Sequence, residues 1–343
     1  MKVTTIGLDL AKSVFQVHGV DERGHRALVR KLRRDQVVEF FARLEPCLVG
    51  MEACGGAHYW AGKLQELGHT VRLMSPQFVK PYVKTNKNDA RDAEAICEAV
   101  ARPNMRFVPV KNAEQQTVLS LHRARQAMVK MRTAQANQIR GLLAEFGLVL
   151  PKGTSSLVRQ VPAIVALDNE TLPVRMRALI GRLLEHFRHL DGQAKELEHE
   201  IKLWHRASEP SRRLADIPGV GPLTATALVA SIGDPKNFHN GRQLAAWTGL
   251  VPRQQSSGGK SVLLGISKRG DPYLRCLLIH GARAVIQRVR QKALSEQSWA
   301  SRLVQRRNAN IAAVALANKN ARTAWALLAH GCAYEPARAV LAT

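Results

Sequence analysis

Residues 3–10 read VTTIGLDL, residues 14–20 VFQVHGV and residues 26–32 RALVRKL. Each is a short run rich in β-branched and aliphatic residues, and the gaps between them suit tight turns. They predict a three-stranded antiparallel meander. Beyond residue 32 the pattern changes. Residues 36–44 carry apolar side chains at helical spacing, 47–51 read as a short strand, 59–67 as a helix, 70–74 as a strand and 89–100 as a helix. A meander followed by strand–helix alternation predicts an α/β domain with a mixed sheet over residues 1–112.

The middle of the chain, residues 113–209, reads as all-α. Residues 114–146 hold no proline and a single glycine, Gly141, which predicts one long helix. Residues 148–172 contain proline, glycine and serine and read as a connection. After it, Met176, Leu183, Leu190, Leu197 and Trp204 recur every seven residues, interleaved with Ile180, Phe187, Ala194 and Ile201. Alternating steps of four and three define a heptad seam. Two readings fit it: a helical hairpin within one chain, or a coiled coil that pairs two protomers into a homo-oligomer.

Residues 210–343 begin with LADIPGVGPLTATALVA at 214–230. Helix, Gly-x-Gly turn and small-residue helix follow the order of a helix-hairpin-helix. The turn at Gly219 and Gly221 would expose backbone N–H groups at a helix N-terminus, which suits a phosphate; an ordinary turn between helices has the same outline.

Charge separates these regions. The 343 residues carry 51 Lys+Arg against 27 Asp+Glu, a net charge of +24, and residues 210–343 alone hold 19 basic and 5 acidic side chains. Such an excess goes beyond solubility and points to a polyanion, nucleic acid first. The five cysteines are scattered without a CxxC pair, which argues against zinc and against a disulfide framework. No uncharged apolar run is long enough for a membrane span. Met1 leads straight into a strand-like segment, so a cytoplasmic protein without a signal peptide is expected.

Four carboxylates stand where hard cations are held. Asp9 ends the first strand in GLDLAK, Glu52 ends a later one in GMEACGG, and Asp89 and Asp92 open a helix in NKNDARDAEA. The i, i+3 spacing sets the last two on one helix face. Oxygen ligands suit Mg²⁺, and four carboxylates can support two ions that activate a nucleophile and stabilise a leaving oxygen in phosphoryl transfer. Taken singly, Asp89 could equally cap its helix and Asp9 occupy a strand-end turn. The twelve histidines form no HExxH pattern, and no GxxxxGK[ST] loop is present, so an ATP-driven machine is unsupported.

Residues 249–275 read GLVPRQQSSGGKSVLLGISKRGDPYLR. Ser256 and Ser257 precede Gly258–Gly259, with Lys260, Lys268, Arg269 and Arg275 following. A serine beside a glycine turn and cations could present its hydroxyl to a phosphate, given activation by a base or metal. The plain reading is a polar loop.

Taken together, GLDLAK, GMEACGG, NKNDARDAEA, IPGVGPLTA, AAWTGLVPRQQSSGGK and GISKRGDPYLR resemble the DEDD transposases of bacterial insertion sequences (the insertion sequence 110 family), relatives of Piv-type DNA invertases. The resemblance implies an RNase H/RuvC-like N-terminal domain, a coiled-coil middle and a helical transposase domain. It assigns the acidic tetrad to Asp9, Glu52, Asp89 and Asp92, and the nucleophile to the serine directly before the glycine, Ser257, with Ser256 alongside. It further implies strand exchange on donor and target DNA through a phosphoserine link, in a site joining tetrad and serine. The resemblance also implies a structured guide (bridge) RNA that supplies sequence by base pairing, as in other guided systems. Two other readings remain open from the residues: a metal-dependent junction-resolving nuclease, which needs no Ser257, and a non-catalytic DNA-binding protein, which needs neither serine nor tetrad.

Overall fold

The structure is a computed structural model and describes residues 2–84, 88–166, 171–291 and 299–335. Asn86 and Lys87 of the NKNDARDAEA block, and residues 167–170 of the expected connection, lie outside the described residues. The chain divides into two compact units, residues 1–115 with 232–237, and residues 116–231 with 238–343.

The first unit is a mixed α/β fold. The meander forms as expected: β1 (Thr5–Leu10), β2 (Val14–Val20) and β3 (Arg26–Arg33) pair antiparallel. A short helix α1 (Val37–Ala42) leads to β4 (Leu48–Glu52), α2 (Ala57–Glu66) and β5 (Thr70–Met74). Then come the single turn α3 (Pro76–Val79), α4 (Asp89–Val100) and β6 (Phe107–Val108), a two-residue strand the sequence did not announce. The six strands lie in the order β3-β2-β1-β4-β5-β6, with β1, β4 and β5 parallel. This mixed sheet is consistent with an RNase H-like domain.

Strand alternation divides the residues of β1 between two faces. Ile6 and Leu8 are fully buried in a cluster with Phe15, Phe41, Trp60 and Leu64, on the side of α1 and α2. Gly7 and Asp9 face the other way, toward α4. A β-carbon on Gly7 would lie 2.1 Å from the Ala93 carbonyl oxygen and 2.4 Å from the Cys97 nitrogen. One on Gly50, the register partner of Gly7 on β4, would lie 2.6 Å from Val100 Cβ. The helix therefore rests on bare backbone at two adjacent strands.

The second unit is helical, with one hairpin. Its long helices are α5 (Ala113–Ala144), whose first residues belong to the other unit, and α7 (Val174–Ala207). Between them lies α6 (Thr154–Ala166), where the sequence predicted only a connection. Pro162 sits inside this helix and disguises it; burial of Leu157 and Val161 against α5 and α7 offsets the missing N–H and the steric conflict.

α5 and α7 run antiparallel within the chain. Arg125 donates to Glu198 at 2.8 Å and Arg132 to Asp191 at 2.6 Å, so a step of seven up one helix is a step of seven down the other. Of the heptad seam, Ile180, Phe187, Ala194 and Ile201 are buried, together with Leu190. Met176, Leu183, Leu197 and Trp204 are half-buried.

The remainder is α8 (Glu209–Ala215), α9 (Pro222–Ile232), α10 (Gly241–Trp247), β7 (Pro252–Ser257), β8 (Lys260–Ile266), α11 (Pro272–Gln291), α12 (Trp299–Arg306) and α13 (Ala309–His330). A buried polar chain ties α5, α9 and α11 together. His122, 1 % exposed, meets Thr226 Oγ1 through Nε2 and Tyr273 Oη through Nδ1, each at 2.9 Å. The Thr226 hydroxyl donates to the Pro222 carbonyl at 2.7 Å, so His122 donates from Nε2 and accepts from Tyr273. No helix among the described residues is long and apolar enough to cross a membrane.

Candidate active site and nucleic-acid interface

The close approach of α4 to β1 sets the acidic site. Asp9 lies two residues beyond Gly7 on the same strand face, and Glu52 two residues beyond Gly50. Leu8 pairs with Met51, so the two acids end neighbouring strands. α4 runs antiparallel to β1: Cys97 Sγ reaches the Thr5 carbonyl oxygen, and the helix N-terminus therefore lies over the C-terminal end of the strand. There, one carboxylate oxygen from each of Asp9, Asp89 and Asp92 lies within 4.8 Å of the others. Asp9 and Asp92 are half-buried and Asp89 is exposed.

Asp89 is not the helix cap. Asn88 holds that position in extended backbone, and its side chain accepts from the Ala90 N–H at 3.0 Å. Asp89 and Asp92 are left in the first turn, where the helix dipole favours negative charge. Glu52 is half-buried and stands outside the three-aspartate group. Its place beside Asp9 shows in Cys54, whose thiol is pushed up by burial and then by the charges of Glu52 and Asp9.

The serine segment is a β-hairpin rather than a polar loop. Gly258 and Gly259 take φ of 55° and 77°, the two positive values that a tight type I′ turn demands. Every residue of β7 is exposed, and so are Lys260–Gly265 of β8, including Val262 and Leu263. The pairing separates the two serines. Ser256 pairs with Ser261, and its Oγ accepts from Gln254 Nε2 at 2.8 Å. Ser257 pairs with Lys260 on the opposite face, at the edge of the turn.

The feet of the hairpin are locked. A β-carbon on Gly249 would lie 2.0 Å from the Arg269 carbonyl oxygen, and one on Gly270 would lie 1.9 Å from that of Trp247. Arg275 Nη1 donates to the Thr248 carbonyl at 3.2 Å and to that of Arg269 at 3.4 Å, which joins the chain entering β7 to the chain leaving β8. Lys268 and Arg269 are exposed between these contacts, Lys268 with φ of 54°, the one non-glycine positive φ among the described residues.

The Gly-x-Gly turn joins α8 to α9 as the sequence suggested. Gly219, φ 88°, packs on Gly281 of α11: a β-carbon would lie 2.8 Å from the Gly281 carbonyl oxygen. Gly221 is exposed and opens onto a groove of about 840 Å³ walled by Val220, Val285 and Arg288. Two glycines inside strand patterns were the only sign in the sequence of the Gly7–Gly50 seat beneath α4, and the His122 network had none.

The chain is similar to known transposases along nearly its whole length. A family model described as "Transposase IS116/IS110/IS902 family" matches residues 211–298, and a DEDD transposase model of the IS110 type matches residues 6–147. The chain is 53% identical over 337 residues to a "Probable family 20 transposase" of Pseudomonas aeruginosa, covering 98% of this chain and 100% of that protein. It is 48% identical to the "Transposase for insertion sequence element IS1111A" of Coxiella burnetii, over 95% of this chain and 90% of that one. A third relative, the "Transposase for insertion sequence element IS1328" of Yersinia enterocolitica, is 44% identical over 97% of this chain and 98% of its own length. The chain belongs to the IS110-type family of DEDD transposases.

Proposed function

We propose that this chain cuts, exchanges and rejoins the DNA strands of an insertion sequence. Residues 1–112 act as an RNase H/RuvC-like catalytic domain, 113–209 as the coiled-coil oligomerisation region, and 210–343 as the transposase domain. The observation that carries this reading is the convergence of Asp9, Asp89 and Asp92 on one strand end.

The donor set fits Mg²⁺. All of the donors are carboxylate oxygens, three of them already gathered, with Asp89 exposed and Asp9 and Asp92 half-buried. Asp9, Asp89 and Asp92, with Glu52 on the adjacent strand end, would hold the ions, two in number. When bound, Mg²⁺ supplies charge stabilisation for phosphoryl transfer and lowers the pKa of a coordinated hydroxyl or water.

The protein's own groups do the rest. Asn88 caps α4 and fixes the direction from which Asp89 and Asp92 enter. Ser257, at the rim of the turn, supplies the hydroxyl that attacks phosphorus. The new serine–phosphate bond replaces the P–O bond to one strand end, which leaves as a free hydroxyl, with the serine proton going to solvent and a proton taken up by the leaving oxygen. The reverse attack by a strand-end hydroxyl rejoins DNA without ATP. Lys260 beside it, with Lys268 and Arg269, offsets charge on the phosphate. Gly219 and Gly221 present backbone to the DNA backbone. A bridge RNA pairs with donor and target DNA, and protomers assemble to hold both duplexes, in the cytoplasm at the nucleoid.

The test is recombination between donor and target plasmids with purified protein, with and without the RNA encoded beside the gene. Joined product is expected only with RNA and Mg²⁺, and none from Asp9→Asn. Cleavage without joining would redirect the reading to a nuclease.

A further inference from the structure

At the strand edge where Asp9 ends β1, the chain carries a second feature on the face opposite α4. Phe15 and Trp60 form a buried floor, edge to face with ring centroids 5.0 Å apart. Arg34 lies across it, its guanidinium carbon 5.1 Å from the Trp60 ring and 5.9 Å from Phe15. Nη1 donates to the Lys12 carbonyl at 3.4 Å, and the backbone N–H of Arg34 donates to the Ser13 carbonyl at 3.0 Å. Its neighbour Arg33 is paired with Asp35 at 3.1 Å, whereas Arg34 meets no carboxylate among the described residues. Tyr59, on the first turns of α2, is 51% exposed and stands edge-on to Trp60 at 5.2 Å. Ser13, Arg34, Tyr59 and Trp60 line a hollow of about 560 Å³, together with Val38 and the Arg33–Asp35 pair, in which the Asp35 carboxylate is already matched by Arg33.

Arg34 is an exposed side chain, and its position over two rings with a bond to a carbonyl restricts its guanidinium before any ligand arrives. Its remaining N–H groups keep the fork that matches a phosphate. An exposed aromatic ring beside a fixed cation is the pairing that holds unpaired nucleotides, base on ring and phosphate on guanidinium. Lys12 follows Asp9 by three residues, a reach of about 11 Å at most. The hollow and the acids thus lie at the same strand end, on opposite faces of the sheet, and a DNA strand that crosses that end reaches both.

We propose that Arg34 and Tyr59 form a nucleotide subsite for the DNA strand at the acidic edge, Arg34 taking a phosphate and Tyr59 stacking on an unpaired base. This rests on the reading that DNA occupies the acidic site. The binding assay, however, needs no catalysis, so its outcome stands apart from whether the acids cut.

The experiment measures affinity of the full chain for a single-stranded oligodeoxynucleotide, for the same strand with abasic positions, and for RNA of the same sequence, across a salt series. Arg34→Ala should weaken both DNA strands and lower the log–log salt slope by about 0.7, the value for one phosphate contact on a single strand. Arg34→Lys, which keeps the charge and guards against a folding defect, should restore the slope. Tyr59→Ala should cost about tenfold on the base-bearing strand and nothing on the abasic one, and Tyr59→Phe should behave as wild type. Unchanged affinity and slope in Arg34→Ala, or an equal loss from Tyr59→Ala on both DNA strands, overturns the subsite. Losses confined to RNA overturn its assignment to the DNA strand.

Discussion

Gly7 and Gly50 stand opposite one another on parallel strands, and neither has room for a side chain beneath α4. Because Asp9 and Glu52 follow them by two residues, the same pair that seats the helix also sets the height of Asp89 and Asp92 above the sheet. A methyl at Gly7 would meet backbone, which cannot rotate away. Gly7→Ala is therefore expected to lower stability by about 1–3 kcal/mol and to lift α4. Metal affinity, measured by calorimetry with Mn²⁺, should fall more than the loss of folded protein explains. Unaltered affinity would show that the acids are positioned from elsewhere.

His122 makes stability depend on pH. Burial, then the charge of Arg125, pushes its pKa down to about 4, against an ordinary 6.5. The unfolded chain thus takes up a proton that the folded chain refuses between these values. The stability contributed by neutral His122 is complete above about pH 6.5 and is lost as pH falls toward 4, by about 3 kcal/mol in all. Urea unfolding at pH 7 and pH 4.5 should show this loss, and His122→Gln should show a shallower pH dependence. A parallel dependence in that variant would assign the effect to other groups.

The α7 seam has one line buried within the chain and one half-buried, and the proposed oligomer gives the second a separate test. Phe187 is buried against α5 and α6, so Phe187→Ala should cost about 3–5 kcal/mol of stability without changing subunit number. Leu183 and Leu197 are half-buried on the other heptad line. The proposed oligomer requires that replacing both with lysine lowers the sedimentation coefficient of the wild-type species while the chain stays folded. A protein that remains assembled would place the interface off this line.

Much of this was legible in the sequence because local pattern and tertiary role agreed. The helix at 89–100 has a polar cap, an acidic first turn and a periodic apolar face, and its observed bounds are Asp89–Val100. The i, i+3 spacing of Asp89 and Asp92 already implied one face. Besides the two-residue β6, α6 and the β7–β8 hairpin escaped. α6 carries Pro162, which local rules read as a breaker, and only packing against two long helices justifies it. The β7–β8 hairpin has solvent on both faces, so it lacks the alternation that betrays a half-buried strand; only Gly258–Gly259 signalled it. The seat of α4 on Gly7 was unreadable because the helix it accommodates lies far along the chain.

Arg275 tests whether a basic residue in the serine segment serves DNA or the hairpin. Its contacts to the Thr248 and Arg269 carbonyls make it a clip at the feet. Arg275→Ala should leave the salt slope of DNA binding nearly unchanged, where loss of a duplex phosphate contact would lower it by about 0.9. Amide exchange at Ser267 and Lys268, which bond to Val251 and Gly249, should accelerate, and recombination should fall. A lower slope with normal exchange would make Arg275 a phosphate ligand instead.

The two serines differ in what the hairpin does with them. Alternation along β7 sends their side chains to opposite faces. Ser256 Oγ accepts from Gln254, within reach of a second Gln254 bond to Ser261 at 3.4 Å, so it is tied into a cross-strand set. Ser257 shares its face with Lys260, at the rim of the turn, where a phosphate can approach without meeting strand backbone. An ammonium beside the hydroxyl favours the developing alkoxide and holds the phosphate oxygens. Ser257 is thus the expected point of attachment. Trapping the covalent intermediate on nicked donor DNA and mapping the modified peptide should place the phosphate on Ser257. Ser257→Ala should abolish the adduct with duplex affinity retained. Ser256→Ala should keep it at a rate within about tenfold of wild type, since only the Gln254 contact is lost. Lys260→Ala should slow adduct formation without moving its site. An adduct that persists in Ser257→Ala would exclude this serine as the nucleophile.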